Sequence, residues 1–291
     1  MTLRFSHLLP RFLLAATVAA SFACTSQLRE YTQLTMQAKS LANGTDVTPE
    51  SLEAVEDILG KRLDGLGIAL VEIETAEPDK IVVRLPQTVN VQAAQSVLTN
   101  TGQLYLRNQK PDTQADLANN IEELQRLLVE QNTLVQQAKV AEAEALQVAV
   151  NQARADIVVL FEPSELTGEM LHDARARPSD TAPGTWDVNI QFSEEGAALF
   201  AAQTKLMAGT GRAVGLFLDD VLLSTPVVDV GYAQTGITGG TAVISGNFTA
   251  VAAEELEVQL KSGALPVALE TLAVTSSSDE AAASDDDGSD S

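Results

Sequence analysis

The sequence predicts an α+β protein: two bodies of alternating strands and helices, separated by a long helical segment of coiled-coil character. Three observations predict it. Period-two alternation and three- and four-residue apolar spacings take turns over residues 33–107 and again over 163–269. Between them, residues 108–162 lose glycine altogether and fill with Gln, Glu, Ala and Leu. Hydrophobic residues make up 45% of the 291 but aromatics only 4%, so the core must be aliphatic.

The elements follow in order. Gln33 to Ala38 alternates as a half-buried strand. Thr48, Pro49 and Glu50 then supply an N-cap, a first-turn proline and an acidic first turn. Leu52, Val55, Leu59, Leu63 and Leu66 mark the buried face of the helix that follows, and Gly65 with Gly67 stops it. Strands are predicted over Ile68–Thr75 and Lys80–Leu85 with a turn at Pro78 and Asp79, then a helix over Val91–Leu98 and a strand over Gln103–Arg107. The order β-α-β-β-α-β is that of a ferredoxin-like unit.

In the helical segment, Leu124, Leu127, Leu134, Ala138, Ala141, Ala145 and Val148 form a seam that Gln131 weakens. One helix of about 48 residues would run about 70 Å. A hairpin turning near Asn132 is the alternative if the two bodies touch. The second body offers a strand at Trp186–Phe192 and a helix capped by Ser193 and running to Met207. Strands Arg212–Leu218 and Val221–Val228 flank Asp219 and Asp220 as a hairpin candidate. Thr241–Ser245 is a further strand, Gly239–Gly240 and Gly246–Asn247 read as turns, and Thr249 caps a last helix to Lys261 that Gly263 and Pro266 terminate.

The two ends carry targeting and charge. Arg4 and Arg11 precede an apolar run to Cys24, too short to cross a bilayer, so residues 1–23 read as a secretory signal and 24–32 as a linker. Cys24 is the single cysteine, which excludes an internal disulfide and a zinc cluster. It reads either as a lipidation site tethering the protein to a membrane or as a residue at the edge of a cleaved signal. Residues 270–291 read as a disordered acidic tail. The formal charge of −22, with no basic patch, argues against nucleic acid as a partner.

No reaction centre is legible. His172 is the single histidine beyond the presumed signal and has no nucleophile-elbow pattern near it. Asp219 and Asp220 read as a turn, and Gly209–Gly211 lacks the rest of a phosphate loop. The sequence therefore predicts a non-enzyme without metal or cofactor.

Several stretches resemble the SecD family of protein-export subunits. RLDGLGIALVEIE carries the family's RVDxLG pattern at Arg62, Asp64, Leu66 and Gly67, and IVVRLP and GQLYLR resemble the segments that follow it. Leu166–Gly168 resembles the family LTG. LFLDDVLLSTPVV resembles its LDGxVISAPVV through Leu218, Asp219, Val221, Ser224 and Pro226. ITGGTAVISGNFT, with Gly239, Gly240, Gly246 and Asn247, and SGALPV, with Gly263 and Pro266, match almost residue for residue. These residues read as architectural. The DLRGG motif is not kept, because Glu30 and Tyr31 stand where the paired glycines belong, and no span for the family's membrane motor is legible.

The resemblance implies an exported, extracytoplasmic protein that binds unfolded preprotein or the Sec translocon, with a SecD-like base at 33–107 and head at 163–269. Phe217, Leu223 and Phe248 are the candidate preprotein contacts. The alternative is an envelope assembly protein that keeps the fold for other protein contacts.

Overall fold

A computed structural model describes residues 30–41, 46–76 and 78–277. The expected signal, Cys24 and the end of the expected acidic tail lie outside them. The chain opens with strand β1 (Tyr31–Lys39), helix α1 (Pro49–Gly65), strands β2 (Glu72–Ala76) and β3 (Lys80–Pro86), helix α2 (Val91–Thr99) and strand β4 (Leu104–Asn108). At the start of α1 the Thr48 hydroxyl accepts from the Ser51 amide at 3.2 Å and the Ser51 hydroxyl accepts from the Thr48 amide at 2.9 Å, a reciprocal cap. At its end the Ile68 amide donates to the Leu63 carbonyl and the Gly67 amide to that of Asp64, with Gly67 at φ 71°. This is a Schellman stop, and it needs a residue that tolerates the left-handed region. Leu70 then takes φ 60°, which delays β2 to Glu72 and shortens the strand expected from Ile68.

The first sheet has the order β10-β1-β3-β2, where β10 is Ala268–Ser276. Leu34, Met36, Ile81, Val83 and Leu85 point into one buried cluster with Leu52, Val55, Leu59 and Leu63 of α1 and Leu98 of α2. The strand count was right but one member was wrong. β4 leaves this sheet to pair with β7 (Val214–Leu218), Tyr105 opposite Phe217. Its place is filled by β10, antiparallel to β1 from Thr32 opposite Ser276 to Lys39 opposite Ala268. Residues 270–276, expected to be disordered tail, are therefore strand, and Tyr31 and Thr32 of the expected linker belong to β1. The pattern ALETLAVTS had enough apolar positions to pair, but the acidic run behind it masked them.

Helices α3 (Gln114–Gln136) and α4 (Val140–Val158) form an antiparallel hairpin in place of one long helix. The turn lies at residues 137–139, past the expected Asn132. The Lys139 amide donates to the Leu134 carbonyl and the Ala138 amide to that of Val135, with Ala138 at φ 58°. Leu127 packs with Val150 and Ala153, and Leu117 and Ile157 anchor the base of the hairpin beside Phe161 and Phe217. Because α4 runs back along α3, its inward positions are reset by the turn. Ala145 and Val148 of the expected seam face solvent, and Ala143, Val150 and Ala153 are buried instead.

The remaining elements are β5 (Leu171–Pro178), β6 (Trp186–Phe192), α5 (Glu194–Met207), β7, β8 (Val221–Ser224), β9 (Thr241–Phe248) and α6 (Ala250–Ser262). They build two three-stranded sheets, β4-β7-β8 and β5-β6-β9, over a shared core of Leu104, Leu216, Val188, Ile190, Phe200 and Leu256. β5 was not foreseen. Its outer edge is covered by α6, whose Glu257 carboxylate accepts the Ala176 amide at 2.7 Å. Asp219 and Asp220, at φ 49° and 63°, make the expected two-residue hairpin turn between Leu218 and Val221. Gly246 and Asn247 are not a turn. They lie inside β9 where Trp186 pairs with Phe248 and Asp187 with Ser245, so the two extra residues form a bulge. No helix among the described residues is long and apolar enough to cross a membrane.

Candidate functional site

The candidate contacts scatter. Phe217 is fully buried, its ring edge-on to Phe161 at 4.9 Å between centroids, so it is core and not a surface for polypeptide. Leu223 and Phe248 are half-buried against the shared core. His172 is exposed, and no group of three metal-ligating side chains occurs among the described residues. Among the exposed apolar side chains that sequence reasoning missed are Leu206 at 63%, Val227 at 57%, Val230 at 68% and Tyr232. They share one neighbourhood, because the Gly209 amide donates to the Val228 carbonyl and Val230 lies against Gly209 at the end of α5.

Four of the family-signature residues, Arg62, Asp219, Gly263 and Pro266, do converge. Arg62 sits on the apolar face of α1, one helical turn beyond Leu59, and is fully buried. All five of its N–H groups find acceptors. Nη1 donates to the carbonyls of Val97 at 2.7 Å and Asn100 at 2.5 Å, Nη2 to those of Thr101 at 3.0 Å and Gly263 at 3.2 Å, and Nε to the Ser262 hydroxyl at 3.2 Å. Burial lowers Arg62 to about 10, against the opposing pull of Asp219.

Asp219 grips the same loop from its other side. Its carboxylate accepts the Gly102 and Gln103 amides at 2.8 Å each and the Thr101 hydroxyl. The loop 100–103 carries the chain from α2 to β4, and 263–267 carries it back from α6 to β10. One arginine thus fastens both crossings between the first sheet and the other two. Gly102 is required here: at φ 76° its backbone passes so close that a Cβ would stand 2.8 Å from Arg62 Nη2. Resemblance singled out Arg62; its acceptors, mostly backbone, carry no sequence signal.

Beside the joint lies a cleft of ≈ 330 Å³, lined in part by Gln103, Tyr105, Thr167, Glu169, Leu265 and Pro266, which brings three signature stretches together. Other signature residues serve locally. Asp64 is exposed at the end of α1 and offers its carbonyl to Gly67. The Pro226 carbonyl accepts the Val214 amide at 2.9 Å, and that of Gly240, beside Gly239, accepts the Phe192 amide at 2.8 Å. Arg107 pairs with Asp220 at 2.9 Å and lies over the rings of Tyr105 and Phe217. The arrangement positions backbone.

Comparison with known proteins matches residues 116–267 to the family described as SecDF, P1 head subdomain, and residues 52–111 to protein translocase subunit SecDF, P1 domain, N-terminal. The protein translocase subunit SecD of Synechocystis sp. is 38% identical over 249 residues, covering 84% of this chain and 52% of that protein. That of Prochlorococcus marinus is 32% identical over 294 residues, covering 88% and 58%. The chain thus spans little more than half the length of these two relatives. A solved structure described as a membrane component SecDF that enhances protein export superposes with TM-score 0.60 at 25% identity, covering 84% of this chain and 99% of that one. SecDF in a super-membrane-facing form gives 0.62 at 24% identity over 84% of this chain and 30% of that one, a likeness of fold. With more than half its length matched by the head model and a relative 38% identical over 84% of it, the chain belongs to the SecD/SecDF P1-domain family.

Proposed function

We propose that this chain is a non-enzymatic, extracytoplasmic SecD-like protein that assists Sec-dependent translocation by holding unfolded preprotein or docking the translocon. It works as two bodies whose crossings Arg62 and Asp219 fasten. The observation that carries the reading is the exposed apolar neighbourhood of Leu206, Val227, Val230 and Tyr232, set in a fold of SecD kinship. Unfolded chain offers apolar side chains that such a patch removes from water. Photo-crosslinkers at Val227 and Val230 should give adducts with a translocating polypeptide, and one at buried Phe217 should not. Absence of adducts where a full-length SecD yields them would end this reading. Attachment through a lipid on Cys24 is part of the proposal, read out as a mass increase on that residue.

A second reading, in which the fold serves envelope assembly through other protein contacts, draws on the helical hairpin. Its far end exposes Val129, Val135 and Val140. Pull-down of the mature chain separates the two: Sec components support the first, and other envelope proteins the second.

A further inference from the structure

The hairpin buries more side chains at its base than at its tip. Leu127 is the last fully buried residue of α3, and from there to the turn the inward positions are half-buried Gln131 and Leu134. The Gln131 amide spans the two helices, donating to the Ala143 carbonyl at 3.2 Å and to Gln147 Oε1 at 2.9 Å, and buried Ala143 with half-buried Leu134 supplies the apolar contact at this level. A groove of ≈ 650 Å³ remains, lined by Leu128, Gln131 and Val135 on one helix and Val140, Glu144 and Gln147 on the other. Both sets step by three or four residues, the spacing with which a two-helix groove receives a third helix.

Charge selects the occupant. Arg126 is held by Glu123 at 2.6 Å and Glu130 at 3.1 Å, and Lys139 by Glu142 at 3.5 Å. Glu144, the one charged residue lining the groove, is in no ion pair among the described residues. Every cation near the tip is committed and one carboxylate is left over. A second copy of a chain with formal charge −22 would meet like charge, as would an anionic lipid surface.

We infer that the hairpin tip receives a basic amphipathic helix of a partner polypeptide, its apolar stripe covering the exposed Leu128, Val135 and Val140 and a Lys or Arg meeting Glu144. This names the chemistry of the partner in the second reading above and rests on that reading only for its use of the hairpin.

The test uses the full chain with Cys24→Ser and a dansyl-labelled synthetic 18-residue helix with Leu at the seam positions and Lys elsewhere, beside a matched Leu/Glu helix. The Leu/Lys helix should bind, and Val135→Asp should weaken it by about tenfold. Glu144→Lys should weaken it as well and raise affinity for the Leu/Glu helix, while far-ultraviolet circular dichroism stays unchanged. Binding of the Leu/Lys helix to either variant as tightly as to the parent chain would overturn the inference, as would tip-dependent dimers in sedimentation or binding to phosphatidylglycerol vesicles in place of the peptide. Failure here leaves co-purification with Sec components untouched, so the two ideas fall separately.

Discussion

Replacing Arg62 tests whether one buried guanidinium fastens the sheets together. It donates five hydrogen bonds, four to the carbonyls of Val97, Asn100, Thr101 and Gly263 and one to Ser262. Arg62→Met keeps much of the volume and removes every donor. With about 1 kcal/mol lost for each orphaned acceptor, and some relief from no longer burying a charge, the net loss should be about 4 kcal/mol. Arg62→Lys has three N–H groups for five acceptors, which leaves two orphaned and should cost about 2 kcal/mol. Urea unfolding gives both values from the midpoint and slope. Asp219→Ala releases the same loop from the other side, so the double variant Arg62→Met/Asp219→Ala should be non-additive by about 1 kcal/mol. An Arg62→Lys variant within about 0.5 kcal/mol of the parent would refute the argument, because that is the range of a surface change.

Phe217→Ala should destabilise by about 3 to 4 kcal/mol in the same assay and, below its unfolding midpoint, leave polypeptide adducts at Val230 unchanged, since the ring is core. Ala138→Gly should stabilise by about 0.5 to 1 kcal/mol, because alanine there holds a left-handed conformation that glycine adopts without strain, measured by thermal unfolding. Glu50 is held below its usual 4.5 by its own backbone amide and the Thr48 hydroxyl. Its contribution is therefore present above that pH and fades below it, so Glu50→Gln should flatten the acid limb of a stability profile.

Local chemistry was legible and distant pairing was not. The cap at Thr48, the stop at Gly67 and the Asp219–Asp220 hairpin were readable because each is decided by a few adjacent residues. The exchange of β4 for β10 was hidden, because alternation says that a segment is a strand without saying which strand it pairs with. The seam in α4 failed for a similar reason: the turn at 137–139 resets the phase, and Val148 moved from expected core to solvent. Arg62 and Asp219 were singled out by resemblance, but their meeting at loop 100–103 is tertiary. Phe217 misled because an aromatic in an apolar strand reads the same whether its face is core or groove.

The closing of the first sheet by its last strand has a kinetic cost. The Tyr31 amide bonds to the Ser277 hydroxyl across 246 positions of chain. β1 comes early in the chain, and one row of its amides and carbonyls stays vacant until residues 268–276 are within reach. Such a vacancy is a template for any passing strand. Its final partner comes from far along the same molecule, so assembly of this layer is slow and late compared with the helical hairpin, whose two halves are neighbours in sequence.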